Sequence, residues 1–137
     1  MSETIEGGCN CGAIRYTIAG PPLAVAACHC TRCRRQSGSA FSVNLVVKPE
    51  DMTVAGELAV FEDTETSSGQ SVLREFCGMC GSPIRSRLNA NPQIVAVKAG
   101  TADAPDGFAP SIHVWTQSKL AWVEIPAGLP QFARNAG

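Results

Sequence analysis

Apolar and polar residues alternate along 13–18 as Ala-Ile-Arg-Tyr-Thr-Ile, which puts Ile14, Tyr16 and Ile18 on one face and Arg15 and Thr17 on the other. That two-residue period predicts a half-buried strand, ended by Gly20-Pro21-Pro22. Residues 23–28 read as a second strand and 41–47 as a third. Between them the polar, basic run Thr31–Ser37, bounded by Gly38, suits a short helical turn. Lys48-Pro49-Glu50-Asp51 predicts a turn, followed by Met52–Ala55 and 57–62 as the arms of a hairpin about Gly56. Residues 63–70 are polar and small enough to form a loop leading into a strand over 72–76 that delivers Cys77. Segments 84–88 and 94–99 continue the strand pattern, 101–110 forms a second loop, and 111–116 and 121–125 close the domain as strands. The expectation is an all-β fold with short helical turns.

Composition supports that reading. Hydrophobic residues make up 45% of the 137 residues and can supply a core, while thirteen glycines and nine prolines leave little room for long helices. The length suits one domain spanning 1–137, and no repeat or linker divides it. A formal charge of −1 gives no field that would draw a polyanion over the surface, which disfavours nucleic acid as a partner. The N-terminal Met-Ser-Glu-Thr-Ile-Glu lacks the basic and apolar regions of a signal peptide. No segment reaches the ~20 apolar residues that cross a bilayer, so a membrane location is not expected. The expected compartment is a reducing cytoplasm.

Seven cysteines change the picture from fold to chemistry. They fall into three groups: Cys9 and Cys11; Cys28, Cys30 and Cys33; Cys77 and Cys80. The odd count, the clustering and the missing export signal favour metal over a disulfide framework. Zinc in a structural role takes four ligands in a tetrahedron, and two short chelating pairs from distant segments can staple a small sheet. Cys9 and Cys11 with Cys77 and Cys80 make such a set, with Gly12 and Gly81 following the two pairs so that amides can approach the sulfurs. Cys28, Cys30 and Cys33 then remain as three ligands for a second zinc, whose fourth position can take water or a substrate. Spacing also permits a ribbon of Cys30, Cys33, Cys77 and Cys80, leaving Cys9, Cys11 and Cys28 as the incomplete set. The alternative is that His29, His113 or a carboxylate closes the three-thiol site and makes it purely structural.

Cys9-x-Cys11-Gly, Cys28-x-Cys30-x-x-Cys33 with Ser37-Gly38, and Cys77-x-x-Cys80-Gly, in this order, resemble the glutathione-dependent formaldehyde-activating enzyme family. The resemblance extends to His113-Val114-Trp115 and Trp122. It implies an Mss4-like (β-tent) fold of antiparallel sheets stapled by zinc. It also implies a closed zinc at Cys9, Cys11, Cys77 and Cys80 and an active-site zinc at Cys28, Cys30 and Cys33. The implied activity is condensation of formaldehyde with glutathione to S-hydroxymethylglutathione, a carbon–sulfur lyase reaction run in reverse. On this reading Cys28, Cys30, Cys33 and His113 are the candidate catalytic residues.

Arg32, Arg34 and Arg35 crowd the three-thiol cluster and are candidates to hold a carboxylate of the thiol ligand. Their alternative role is to offset thiolate charge on a solvated turn. His29 lies between two ligands and is expected to turn away from the metal. Trp115, Trp122 and Phe41 are expected in the core. The leading function is therefore a zinc-dependent lyase acting on a small thiol or thiol–aldehyde adduct, against a non-enzymatic zinc module for a protein partner. A thiol oxidoreductase would need a free nucleophilic cysteine, and every cysteine is taken by a cluster.

Overall fold

The structure is a computed structural model that describes residues 4–135. A three-stranded antiparallel sheet runs β1 (Thr4–Gly8), β2 (Arg15–Ala19), β5 (Met52–Ala55). The larger sheet is built from β3 (Ala24–Cys28), β4 (Ser42–Val47), β6 (Leu58–Asp63), β7 (Val72–Cys77), β8 (Pro83–Leu88), β9 (Val95–Lys98) and β10 (Ile112–Val114). Its strand order is β10-β3-β4-β9-β8-β7-β6. All pairs are antiparallel except β10, which lies parallel to β3. One helix, α1 (Thr31–Ser37), follows β3 directly.

The alternation seen in the sequence becomes two faces with different contents. Leu45 and Val47 of β4 and Val95 and Val97 of β9 pack against Ile5, Tyr16, Ile18 and Met52 of the small sheet, and this is the main core. The opposite face carries Cys28, Asn44, Arg74, Ser86 and Lys98, all of them buried. A single sheet therefore presents a dry apolar surface on one side and a polar, sulfur-bearing one on the other, as the period of two dictates.

Three sequence expectations are corrected. Residues 52–55 and 57–62 do not form a hairpin: β5 pairs with β2 in the small sheet, whereas β6 pairs with β7 in the large one. Gly56, at φ 104°, lies where the chain passes from one sheet to the other. Local pattern identifies a strand but not the sheet it joins. Residues 121–125 form a turn and extended chain, not a strand, and Trp122 is 73% exposed and so not in the core. β1 was not anticipated, because its Gly7-Gly8 end and single large apolar residue, Ile5, give no alternating signal.

Candidate metal centres

Cys9 and Cys11 leave the end of β1, while Cys77 and Cys80 flank the turn after β7. The four sulfurs lie within 4.8 Å of one another. Sγ of Cys11 is 3.6 Å from that of Cys9 and 3.7 Å from that of Cys77. Each pair sits in a tight turn with matching construction. Cys9 Sγ accepts from the Ile14 amide at 3.2 Å and Cys77 Sγ from the Met79 amide at 3.4 Å. Gly12 and Gly81 close the turns at φ 81° and 82°, a left-handed conformation that glycine adopts without steric cost. Amides aimed at sulfur stabilise thiolates, and four thiolates from two chelating turns are the donor set of a closed tetrahedral zinc. The Ser82 hydroxyl and amide hold the Cys80 thiol down at about 5. Cys11 is pushed up to about 11, because the lowering effect of the Ala13 amide is outweighed by Cys9, burial, Cys77 and Cys80. As bare thiols the four cannot all ionise together, and a dication removes that conflict.

The second cluster is more deeply placed. Cys28 ends β3, Cys30 caps α1 by accepting from the Cys33 amide at 3.2 Å, and Cys33 lies in the first turn of the helix. Their three sulfurs also lie within 4.8 Å of one another, and among the described residues no histidine or carboxylate joins either cluster. Hydrogen bonds from Cys28 and Cys30 hold the Cys33 thiol down at about 2 against the opposing effect of burial, with Arg74 and Lys98 adding to the stabilisation. Cys28 is driven up by the same hydrogen bonds and by burial. This donor set suits a zinc with three protein ligands. It also disposes of the ribbon alternative: Cys30 and Cys33 group with Cys28, not with Cys77 and Cys80.

These sulfurs border a cavity of about 180 Å³ on the polar face of the large sheet. Arg74 and Lys98 contribute its cationic wall, Asn44 and Ser86 its neutral polar groups, and Val114 and Trp115 its apolar side. Val114 and Trp115 are adjacent, and extended chain would send them to opposite faces. Trp115 adopts φ 57°, ψ 37°, a left-handed conformation rare for a bulky residue, and both side chains reach the cysteines. The strain is held by the C-terminal strap: the Trp115 amide donates to Arg134 O, its indole Nε1 donates to Asn135 Oδ1 at 2.8 Å, and the Arg134 guanidinium stacks 4.8 Å above the ring.

The arginines named from sequence are placed differently from expectation. Arg32 donates from Nε and Nη2 to the buried Asp63 carboxylate. Arg34 and Arg35 line no part of the cavity, because they project from a short helix whose inward residue is Cys33. Arg74 is the arginine at the cavity: it donates to Asp63 Oδ2, to Ser86 Oγ at 3.4 Å and to Cys33 Sγ at 3.6 Å. The ion pairs to Arg32 and Arg74 overcome the effect of burial and keep the Asp63 carboxyl below its ordinary range. Lys98 donates to Ser42 Oγ at 2.6 Å, and Ser42 in turn donates to Asn44 Oδ1.

His113 is placed apart from the cavity. It neighbours Val114 on β10 and therefore faces the other side of the sheet, where its Nδ1 lies 2.9 Å from His29 Nε2. Both rings are buried and Phe41 packs against them, at 5.0 Å from His29 and 6.2 Å from His113. Burial lowers the pKa of both, and neither lines the cavity. His29 turns away from the cysteines, as its place between Cys28 and Cys30 predicts.

Two sheets, antiparallel in every pair but β10–β3, meet at a four-cysteine cluster, and a second cysteine cluster opens on a cavity; together they define an Mss4-like (β-tent) fold with two groups that could hold metal ions. The chain belongs to the glutathione-dependent formaldehyde-activating enzyme family, whose model matches residues 4–118. A Halomonas elongata relative that carries the same family name is 30% identical over 129 residues, covering 88% of this chain and 80% of its own length. A crystal structure of a Rhodobacter sphaeroides protein superposes with a TM-score of 0.56 at 18% identity, over 93% of this chain and 98% of the other. That likeness is one of fold.

Proposed function

We propose that the protein is a zinc-dependent enzyme that makes or breaks a carbon–sulfur bond between a small thiol and an aldehyde, of which S-hydroxymethylglutathione is the first candidate. The observation that carries this reading is the three-sulfur cluster of Cys28, Cys30 and Cys33, which opens on a cavity and takes no fourth ligand from the described residues. Family membership supports the choice of thiol and aldehyde. The other four cysteines hold a structural zinc, and the whole chain acts as one domain in a reducing compartment.

Zinc bound by the three cysteines would supply a Lewis acid that keeps a substrate thiol ionised near neutral pH. The chain's own residues do the rest. Arg74 fixes the Cys33 sulfur and offsets its charge, and Asp63 fixes Arg74. Val114 and Trp115 restrict water at the sulfurs. In the synthetic direction the sulfur joins the aldehyde carbon, and the proton lost by the thiol ends on the aldehyde oxygen. In the reverse direction the hydroxyl proton leaves and the carbon–sulfur bond breaks.

The test is titration of cobalt-substituted protein with glutathione, reading the visible bands that report sulfur coordination, alongside exchange NMR of formaldehyde and its adduct. Binding with accelerated exchange is expected. A spectrum indifferent to every thiol would instead make the second centre a brace for a protein partner.

A further inference from the structure

Lys98 lies on the cavity face of β9 and is 6% exposed. An ammonium has three donors to satisfy. Among the described residues Nζ has one acceptor, Ser42 Oγ at 2.6 Å, and it pairs with no carboxylate. Arg74 beside it differs in this respect, since Asp63 and Ser86 occupy its guanidinium. A buried cation without a carboxylate partner is costly; the Cys33, Cys28 and Cys30 sulfurs across the cavity favour its charged form, and the groups around it show how it is held. Ser42 passes its own hydrogen to Asn44 Oδ1 and so presents lone pairs to Nζ, which fixes the ammonium at the wall facing the cysteines. The register places it there: Asn44 of β4 is paired with Lys98 of β9 and with Ala26 of β3, two residues before Cys28.

We propose that Lys98, oriented by Ser42, holds an anionic or strongly polar oxygen of the ligand whose sulfur reaches the three-cysteine centre. This rests on the proposed function. The cavity, about 180 Å³, is smaller than the ~300 Å³ at which ligand pockets commonly begin, so only a few heavy atoms beyond the sulfur fit inside. The oxygen therefore belongs close to the sulfur. It is supplied either by the carboxylate of a short acidic thiol or by the hydroxyl of a thiol–aldehyde adduct, and the remainder of a larger thiol lies outside.

Cobalt-substituted protein is titrated with thioglycolate, 2-mercaptoethanol and ethanethiol, which are similar in size and differ in the oxygen they carry. The wild type is expected to bind thioglycolate at least about tenfold more tightly than ethanethiol, the gain of one charge-assisted hydrogen bond. Lys98→Met removes that preference, so that thioglycolate and ethanethiol bind the variant alike. Methionine fills the same apolar space, so the variant is expected to fold, and Ser42→Ala gives a second, partial loss of preference if it does not. If 2-mercaptoethanol follows thioglycolate, a hydroxyl is held as well; if it follows ethanethiol, the site reads carboxylate. A parallel measurement follows line broadening of ¹³C-formate, which has no sulfur, by the zinc-loaded protein. Formate held by the wild type and released in Lys98→Met, with no thiol affecting cobalt, leaves Lys98 as an anion-holding residue but overturns the proposed function and, with it, the link to a ligand sulfur. Thiols bound without regard to oxygen, with formate unheld, overturn the inference and leave the function standing.

Discussion

Arg74 Nη1 donates to Cys33 Sγ at 3.6 Å, and the same guanidinium is held by Asp63 Oδ2. Because Arg32 binds the other side of that carboxylate, one 3% exposed aspartate anchors two cations beside the cluster.

Asp63→Asn therefore leaves the buried Arg74 guanidinium without its carboxylate partner, and a loss of about 3–5 kcal/mol is expected by urea unfolding. The pH dependence follows from the lowered carboxyl pKa. A depressed folded-state pKa contributes stability that is full above the ordinary carboxylate value near ~4 and is lost as pH falls through the folded one. The gap between wild type and variant should narrow over that acid range. A gap constant with pH would contradict the ion-pair account.

Removing one ligand from each cluster should separate their roles. Cys77→Ser breaks the staple between the two sheets and should yield protein without a cooperative melt. Cys30→Ser should keep the fold and lose one metal ion. Metal analysis of the untreated protein should find up to two zinc ions, the one at Cys28, Cys30 and Cys33 leaving first under mild chelation. Equal damage from both substitutions would refute the division.

Replacing Arg34 and Arg35 together with Ala should change thiol affinity by no more than about twofold, since neither borders the cavity and exposed charges contribute little. Calorimetry decides it. A large loss would mean that the ligand extends over α1.

His113→Leu removes the partner of His29 Nε2 within a buried pair and should cost about 1–3 kcal/mol in stability. Thiol binding measured on the cobalt protein should be retained. Weakened binding with an unchanged melting temperature would restore His113 to the site.

The cysteine grouping was legible as a preference, because three thiols within six residues can meet without help from the fold and two short pairs need only one crossing, but spacing left the ribbon of Cys30, Cys33, Cys77 and Cys80 open until the fold placed the sulfurs. β2 was equally legible, since its burial alternates as its residues do; β4 and β7 were legible as strands without any strict alternation in their burial. The cationic wall was not read. Its signal was present in Val-Leu-Arg-Glu-Phe at 72–76 and Val-Ala-Val-Lys at 95–98, where a charge interrupts or ends a run that should be buried. Three arginines adjacent to the cysteines in sequence drew the argument instead, yet distance along a helix does not decide which side chain faces a cavity. The turn in direction at Trp115 had no local signal, because it depends on residues 131–135 packing over it.

The two cysteine centres differ in the length of chain they close. Cys28, Cys30 and Cys33 form a chelate complete within six residues, while Cys11 meets Cys77 across a separation of 66. Closing the longer loop costs more entropy, and ordering it requires both sheets. During synthesis the short chelate leaves the ribosome well before Cys77 exists, so it is competent for metal while the chain is still unfolded. Metal capture at the four-cysteine site must coincide with folding. On the proposed function, the centre that opens on the cavity is thus the one that could be loaded, emptied and reloaded with the architecture intact, and loss of that one ion would leave a folded protein without its proposed activity.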